Sequence, residues 1–547
     1  MKITVGELIV RFMERLGIDR VFGMPGAHIL PVYDHLRSSK IGSVLVKHEQ
    51  GAAFMAGGYA RASAHSSAKI GACIATAGPG ATNLVTGIAN AYADRLPVLA
   101  ITGETSTWIF GRGGLQEGSG QGGAIDLAAI FSGITRTHRR IDGTDFLAQT
   151  LHEAAHTLRL PVTGPVVLTL PYDVQKTQVD ESLLDGINFS PAPSAVPGSA
   201  GEELARMIAQ ANHPVLVAGE GCIRSGAQAV VARLAEAFRI PVATSINGKG
   251  IIDERTPFSI GCLGITSDGR AWQHIVDCAD LVIFLGASFN ERTSRLWEPE
   301  LLAGKKVVQV DHDPDRLGRV PKVSNADRAI CADVRAVLEA ALAALEREGI
   351  PGKAGCSAPP STISPHFKLI EHFFSGLVLR FPRGAQIVDD NIILAQTHFR
   401  ASPVHRYFPN SGISAIGHAI PAAIGARLAR AVPTFAILGD GGFQMCCMEI
   451  MTAVNHGIPV NIVLINNGTL GLIRKNQFQL YGGRTIDCDF VNPDYALLAR
   501  SFGINHFRIE TTGDVDRLFA DANLEAAINL IEIPWDKNVF PGYKSDR

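Results

Sequence analysis

The chain has 547 residues, 46% of them hydrophobic and 19% charged, with a formal net charge of −2. That length predicts about three domains, with ample apolar material for large cores. A near-neutral balance with no Lys/Arg run excludes a nucleic-acid or anionic-membrane surface, and no stretch of about 18 uncharged apolar residues argues for a membrane span.

In chain order, Thr4 and Glu7 have the spacing of a capping box ahead of an amphipathic helix. Its charges, Glu7, Arg11, Glu14 and Arg15, do not suit a secretory signal. Nine cysteines without a C-x-x-C pair predict reduced thiols and a cytoplasmic protein. Short apolar runs at 72–75, 98–101, 166–170, 215–218, 281–285, 435–438 and 462–465 read as buried strands, many separated by helical patterns. The alternation predicts an α/β protein of doubly wound parallel sheets. Stretches rich in proline, glycine and serine at 190–198 and 349–365 read as linkers. They divide the chain into domains 1–188, 190–348 and 362–547. Ligands on such sheets bind at the carboxyl ends of strands, so the glycine-rich turns are where function is sought.

The first such place is Lys47-His48-Glu49-Gln50-Gly51-Ala52-Ala53, where a strand at 43–46 leads into a small-residue helix. Glu49 has two readings. It is either a first-turn carboxylate favoured by the helix dipole, or one held among Ala and Gly that can keep a neighbouring ring nitrogen protonated. Ala77-Gly78-Pro79-Gly80-Ala81-Thr82-Asn83 is a second glycine-rich strand-to-helix turn, which alone could be structural. In the middle part, Gly219-Glu220-Gly221, Ser245-Ile246-Asn247-Gly248, residues 286–292 and Asp311-His312-Asp313-Pro314 end successive strands. No glycine loop gives a good G-x-G-x-x-G followed about 20 positions later by an acidic residue, which disfavours an NAD-linked dehydrogenase.

The most specific signal is Gly439-Asp440-Gly441-Gly442 after one strand and Asn466-Asn467 ending the next. The 467 − 440 = 27 positions between Asp440 and Asn467 hold one helix and a return strand. A carboxylate beside an asparagine carbonyl is hard-oxygen chemistry, suited to Mg²⁺ bound together with phosphates. The glycines let N–H groups approach a diphosphate at a helix start. A tight turn with a capping aspartate is the bland reading of Gly-Asp-Gly alone; the paired asparagines decide against it.

These motifs resemble those of thiamine diphosphate enzymes. Leu470-Gly471-Leu472-Ile473-Arg474, Asn492-Pro493-Asp494 and residues 412–426 resemble acetohydroxyacid synthase (acetolactate synthase) catalytic subunits, and the likeness covers nearly the whole chain. The resemblance implies three doubly wound domains: pyrimidine-binding, central nucleotide-binding-like and diphosphate-binding. It implies Mg²⁺ on Asp440, Asn467 and the main-chain carbonyl of Thr469. It implies thiamine diphosphate against Gly26, Pro79, Asn83, Asn391, Gly441, Gly442, Leu470, Gly471 and Leu472. Ile416 would prop the cofactor in its bent form, and Glu49 would hydrogen-bond N1′ of its aminopyrimidine. FAD, largely structural in that family, would meet Gly219, Gly221, Ser245, Ile246, Leu263, Gly286, Ser288, Asn290, Arg292, Asp311 and Asp333; an empty nucleotide domain is the alternative. The two cofactor-binding domains at one site would come from different chains, so a homodimer is the minimum and tetramers are common. A regulatory subunit is left open.

The implied reaction decarboxylates pyruvate and joins the hydroxyethyl unit to a second 2-oxo acid, giving 2-acetolactate. A decarboxylase, an oxidase, and a lyase or hydrolase of diketones or 2-hydroxyacyl compounds compete within the cofactor class. A non-catalytic nucleotide-binding subunit competes from outside it. Several positions depart from the pattern. Glycines and Gln121 follow Leu115-Gln116-Glu117, leaving Gln116 or Gln121 to face the substrate. Ser288 replaces an arginine, Asp389-Asp390-Asn391-Ile392-Ile393 replaces a glycine–glutamine–histidine pattern, Asn476 replaces a tryptophan, and Leu160-Pro161-Val162-Thr163 lacks an arginine.

Overall fold

The computed structural model describes residues 1–63, 69–192, 198–318, 327–353, 364–540 and 542. Linker residues 193–197 and 354–363, with Pro193, Pro197, Pro359 and Pro360, lie outside the described residues. The apolar runs form three six-stranded sheets, parallel throughout. Strand interiors such as Cys73, Ile74, Val282, Ile283, Ala436 and Ile462 are fully buried. Helices on both faces therefore require continuous rather than alternating apolar strands.

Numbered in chain order within each sheet, the first and third sheets share the strand order 2-1-3-4-6-5, and the middle sheet runs 3-2-1-4-5-6. The latter is the order of doubly wound dinucleotide folds. In all three, the order reverses beside the first strand and opens a crevice at the carboxyl ends. In the first sheet that crevice follows Arg20–Gly23 and Gly71–Ala75; in the middle sheet, Pro214–Ala218 and Leu281–Leu285; in the third, Gln386–Asp389 and Thr434–Gly439. Of the turns singled out in the sequence, those at 77–83, 219–221, 286–292 and 439–442 follow these strands.

The first and third sheets are joined by two helices made of small residues. Glu49–Ala62 packs on Ala419–Ala429 so closely that a Cβ at Gly58 would lie 2.1 Å from the Ala422 carbonyl oxygen, and one at Gly425 2.0 Å from that of Met55. Buried Glu449 adds a polar tie, accepting hydrogen bonds from the Lys47 and His48 amides. At the N-terminus, Thr4 caps Val5–Arg15 by accepting from the Glu7 amide at 3.1 Å. The Glu7 carboxylate accepts from Arg11 at 2.6 Å, so the expected box forms by half. Among the described residues seven cysteines carry free thiols, whereas Cys278 is disulfide-bonded. The expectation of wholly reduced cysteines is corrected accordingly. Among the described residues no helix is long and apolar enough to cross a membrane.

Candidate functional site

The third-sheet crevice is built around Asp440, which is 1% exposed and opens the helix Asp440–Cys446. Pairing of Gly439 with Ile465 in adjacent strands sets Asp440 beside Asn467. One carboxylate oxygen accepts from the Asn467 amide at 3.0 Å, the Gly468 amide at 2.5 Å and Asn492 Nδ2 at 2.8 Å. The other accepts from the Gly441 amide at 3.0 Å. Asn467 Oδ1 accepts from the Thr469 amide at 3.2 Å, and the Thr469 hydroxyl donates to the Cys488 carbonyl. Among the described residues no group of three or more His, Cys, Asp or Glu is placed to hold a metal ion by itself. The oxygen set here is thus one carboxylate with neutral amide and main-chain oxygens, which suits a hard cation completed by a ligand's phosphates.

A cavity of about 650 Å³ opens beside this edge, lined by Asn391, Ile416, Gly441, Gly442, Leu470, Gly471 and Leu472 together with Asp440, Asn467 and Thr469. Close approach demands the glycines. A Cβ at Gly441 would sit 2.5 Å from Leu470 Cδ2, and one at Gly442 2.6 Å from Asp390 Oδ2. Three cationic residues, Arg292, Lys475 and Lys537, also line the cavity, and burial holds the Lys475 amine below its ordinary range.

The first-sheet crevice gathers the N-terminal candidates. Glu49 is 8% exposed, and one oxygen accepts from Asn83 Nδ2 at 3.0 Å. A Cβ at Gly80, next to Pro79, would lie 3.5 Å from the other Glu49 oxygen, and Gly26 and Gly80 both press on Thr76. Gln116, at φ +59°, lies over Gly78 with Oε1 3.3 Å from His28 Nδ1. Its loop is fastened by Glu117, which accepts from the Gly111 and Gly114 amides, and by Glu104, which accepts from that of Gly118. Gln121 is exposed and lies against Gly111. None of Gly26, Glu49, Pro79, Asn83 and Gln116 lines the 650 Å³ cavity. A single chain keeps the two crevices separate.

At the middle-sheet crevice, Ser245, Ile246, Gly286, Ser288, Asn290 and Arg292 surround a cavity of about 200 Å³. Asp94 and Glu220 share the wall, and Arg61 and Arg224 pair with them. The loop amides are already used: Gly219 N donates to the Leu285 carbonyl, Gly221 N to Gly286 and Gly286 N to Val310. Leu263 is buried in the adjoining core, Asp311 accepts from the Asp313 amide, and Asp333 caps Val334–Arg347. None of Gly219, Gly221, Leu263, Asp311 and Asp333 lines the cavity.

Sequence reasoning passed over Asp390, Lys475 and Glu449. Asp390 was noticeable only as a departure from a pattern. Lys475 is the one buried residue of the helix Gly471–Leu480, and a lysine in a polar helix gives no sign of that. Glu449 acquires its role through a partner about 400 positions away.

Three family models match the chain. The thiamine pyrophosphate enzyme N-terminal TPP binding domain covers residues 3–123, the central domain 202–341 and the C-terminal TPP binding domain 391–533. The chain is 33% identical to a probable acetolactate synthase large subunit of Methanocaldococcus jannaschii, over 97% of this chain and 91% of that protein. It is 34% identical to the acetolactate synthase large subunit of Mycobacterium tuberculosis, over 94% and 85% of the two chains. For that of Corynebacterium glutamicum the identity is 32%, over 94% and 84%. With three matching domains in sequence and relatives aligned almost end to end, the chain belongs to the thiamine pyrophosphate enzymes, in the acetolactate synthase family.

Proposed function

We propose that the chain is a thiamine diphosphate- and Mg²⁺-dependent carboligase that decarboxylates pyruvate and joins the two-carbon unit to a second 2-oxo acid, giving 2-acetolactate. The observation that carries this reading is the oxygen edge of Asp440, Asn467 and Thr469 beside a glycine-walled cavity of about 650 Å³, within the range of small-molecule sites. Asp440, Asn467 and the Thr469 carbonyl would hold Mg²⁺, and the Gly441–Gly442 turn would take the diphosphate. When bound, the coenzyme supplies the electron sink for decarboxylation. Glu49, buried with Asn83 as its partner, would hold a proton at the pyrimidine N1′. Ile416 and Leu470 would exclude water and bear on the coenzyme. Arg292 and Lys475 suit substrate carboxylates, and Gln116 rather than exposed Gln121 would meet substrate.

The Glu49 crevice and the Asp440 cavity are separate within a chain, which supports a homodimer in which each chain completes the other's site. The relatives are named large subunits, which supports a smaller regulatory partner. FAD is not expected to bind: the Gly219, Gly221 and Gly286 amides are already bonded to carbonyls, and Gly219, Gly221, Leu263, Asp311 and Asp333 do not line the middle cavity.

The test is product analysis with pyruvate, Mg²⁺ and thiamine diphosphate, together with an absorbance spectrum of the purified protein. Acetolactate without free acetaldehyde or peroxide, and no flavin band, are expected. Glu49→Gln should lose about 10²–10⁴-fold in rate while folding normally. Near-wild-type rates for that variant, or acetaldehyde as the main product, would overturn the reading.

A further inference from the structure

The segment that departs most from the family pattern, Asp389-Asp390-Asn391, leads directly into the cavity, and its polar groups converge on one loop. Asp390 is 3% exposed. Its carboxylate accepts from the Gly417 amide at 2.7 Å, the His418 amide at 3.2 Å and Asn410 Nδ2 at 3.2 Å. The same Asn410 amide donates to the Ala415 carbonyl at 2.6 Å. Ile416 is thus held on both sides: the carbonyl before it through Asn410, and the amide after it directly by Asp390.

Ile416 itself is 37% exposed and faces the cavity, so packing within its own chain does little to fix it. The backbone around it is not self-supporting either. Ser414 has φ +56° and Asn391 φ +64°, conformations that non-glycine residues keep only when surroundings impose them. Asn391 Nδ2 donates to the Ser414 carbonyl at 3.4 Å, and Arg292 donates to Asn391 Oδ1 at 3.1 Å and to the Ser414 hydroxyl at 3.4 Å. Removing one partner from such a buried network leaves donors unsatisfied and frees the loop.

We propose that Asp390 is a positioning residue that fixes Ile416 against the bound coenzyme through the Gly417 amide and Asn410. The proposal rests on the thiamine diphosphate reading of the cavity. It assigns to this carboxylate a task different from holding the diphosphate, which the family's pattern at this place serves.

The test is a double-substitution cycle on the holoenzyme with Asp390→Asn, Ile416→Ala and the pair, reading kcat and KM for pyruvate separately at saturating coenzyme. Beside activity it reads the near-ultraviolet circular dichroism of the bound coenzyme, which both single variants should change alike; an unaltered band in Asp390→Asn overturns the proposal. If Asp390 acts through Ile416, each single change lowers kcat about tenfold with KM within about twofold, and the pair falls no more than about threefold below the lower single. A role confined to holding the fold together would instead lower the active fraction and add independently, so a pair about a hundredfold down overturns the proposal. Unchanged kcat in either single variant overturns it too. If Asp390→Asn does not fold, Asn410→Ser removes the other arm of the clamp and the same coupling with Ile416→Ala is expected. Failure of the parent reading is separate, because it shows as an active Glu49→Gln enzyme whatever the cycle returns.

Discussion

Asp440 accepts hydrogen bonds from three main-chain amides and one side-chain amide in a nearly water-free place. A carboxylate has enough lone pairs for those donors and for a cation at its edge. Asparagine would turn an NH₂ group toward amide donors, leaving about 1–3 kcal/mol of unsatisfied polar contact, and would take away the only acidic ligand of the proposed site. Ligand binding raises stability by about 2.7 kcal/mol at a hundred times Kd, so wild type should gain melting temperature when thiamine diphosphate and Mg²⁺ are added together. Asp440→Asn should gain little under the same conditions in differential scanning fluorimetry. An equal gain in both would remove Asp440 from the site. This residue was legible because Gly-Asp-Gly and Asn-Asn sit at a spacing that topology turns into neighbourhood. Asp390 was not, because its meaning depends on amides at positions 417 and 418 that only the folded chain brings to it.

Strand positions could be read from continuous apolar runs because a parallel sheet covered on both faces leaves no solvent side to interrupt them. Strand order could not be read: the shared 2-1-3-4-6-5 pattern of the outer sheets resides in the crossovers and not in any local composition. The glycine and alanine content of Glu49–Ala62 announced close packing without saying against what. Its partner, Ala419–Ala429, makes the packing position-specific. At Gly58 an added methyl group would run into the Ala422 carbonyl at 2.1 Å, whereas at the neighbouring Gly57 it would meet only Leu96 Cδ1 at 3.6 Å. Gly58→Ala should therefore cost about 1–3 kcal/mol or more through overpacking. Gly57→Ala should be neutral or stabilise by about 0.5–1 kcal/mol, because alanine restricts the unfolded chain and favours helix. Thermal unfolding of the two variants checks the contrast, and equal losses would mean that the helices do not cross backbone to backbone at Gly58.

The whole chain holds two halves of a cofactor site on opposite outer sheets and, within itself, keeps them in different crevices. The Glu49 helix is fixed by Glu449 and by the Gly58–Ala422 crossing to its own third sheet. It cannot swing over to its own Asp440 cavity without breaking that core, so under the proposed function the site would be completed by a second copy related by a twofold axis. In such an isologous arrangement each dimer carries two sites, each with Glu49 from one chain and Asp440 from the other. Two inactive proteins can then repair one another. Glu49→Gln chains and Asp440→Asn chains, refolded or coexpressed as an equal mixture, form mixed dimers in which one site pairs both mutated residues and the other pairs both intact ones. Random pairing makes about half of the dimers mixed, and each has one working site of two, so about a quarter of wild-type activity should return. Each variant alone stays inactive at any concentration. If Glu49 served the Asp440 of its own chain, every site in the mixture would carry one lesion and no activity would return. The measurement thus decides between completion by a partner and completion within the chain from activity alone.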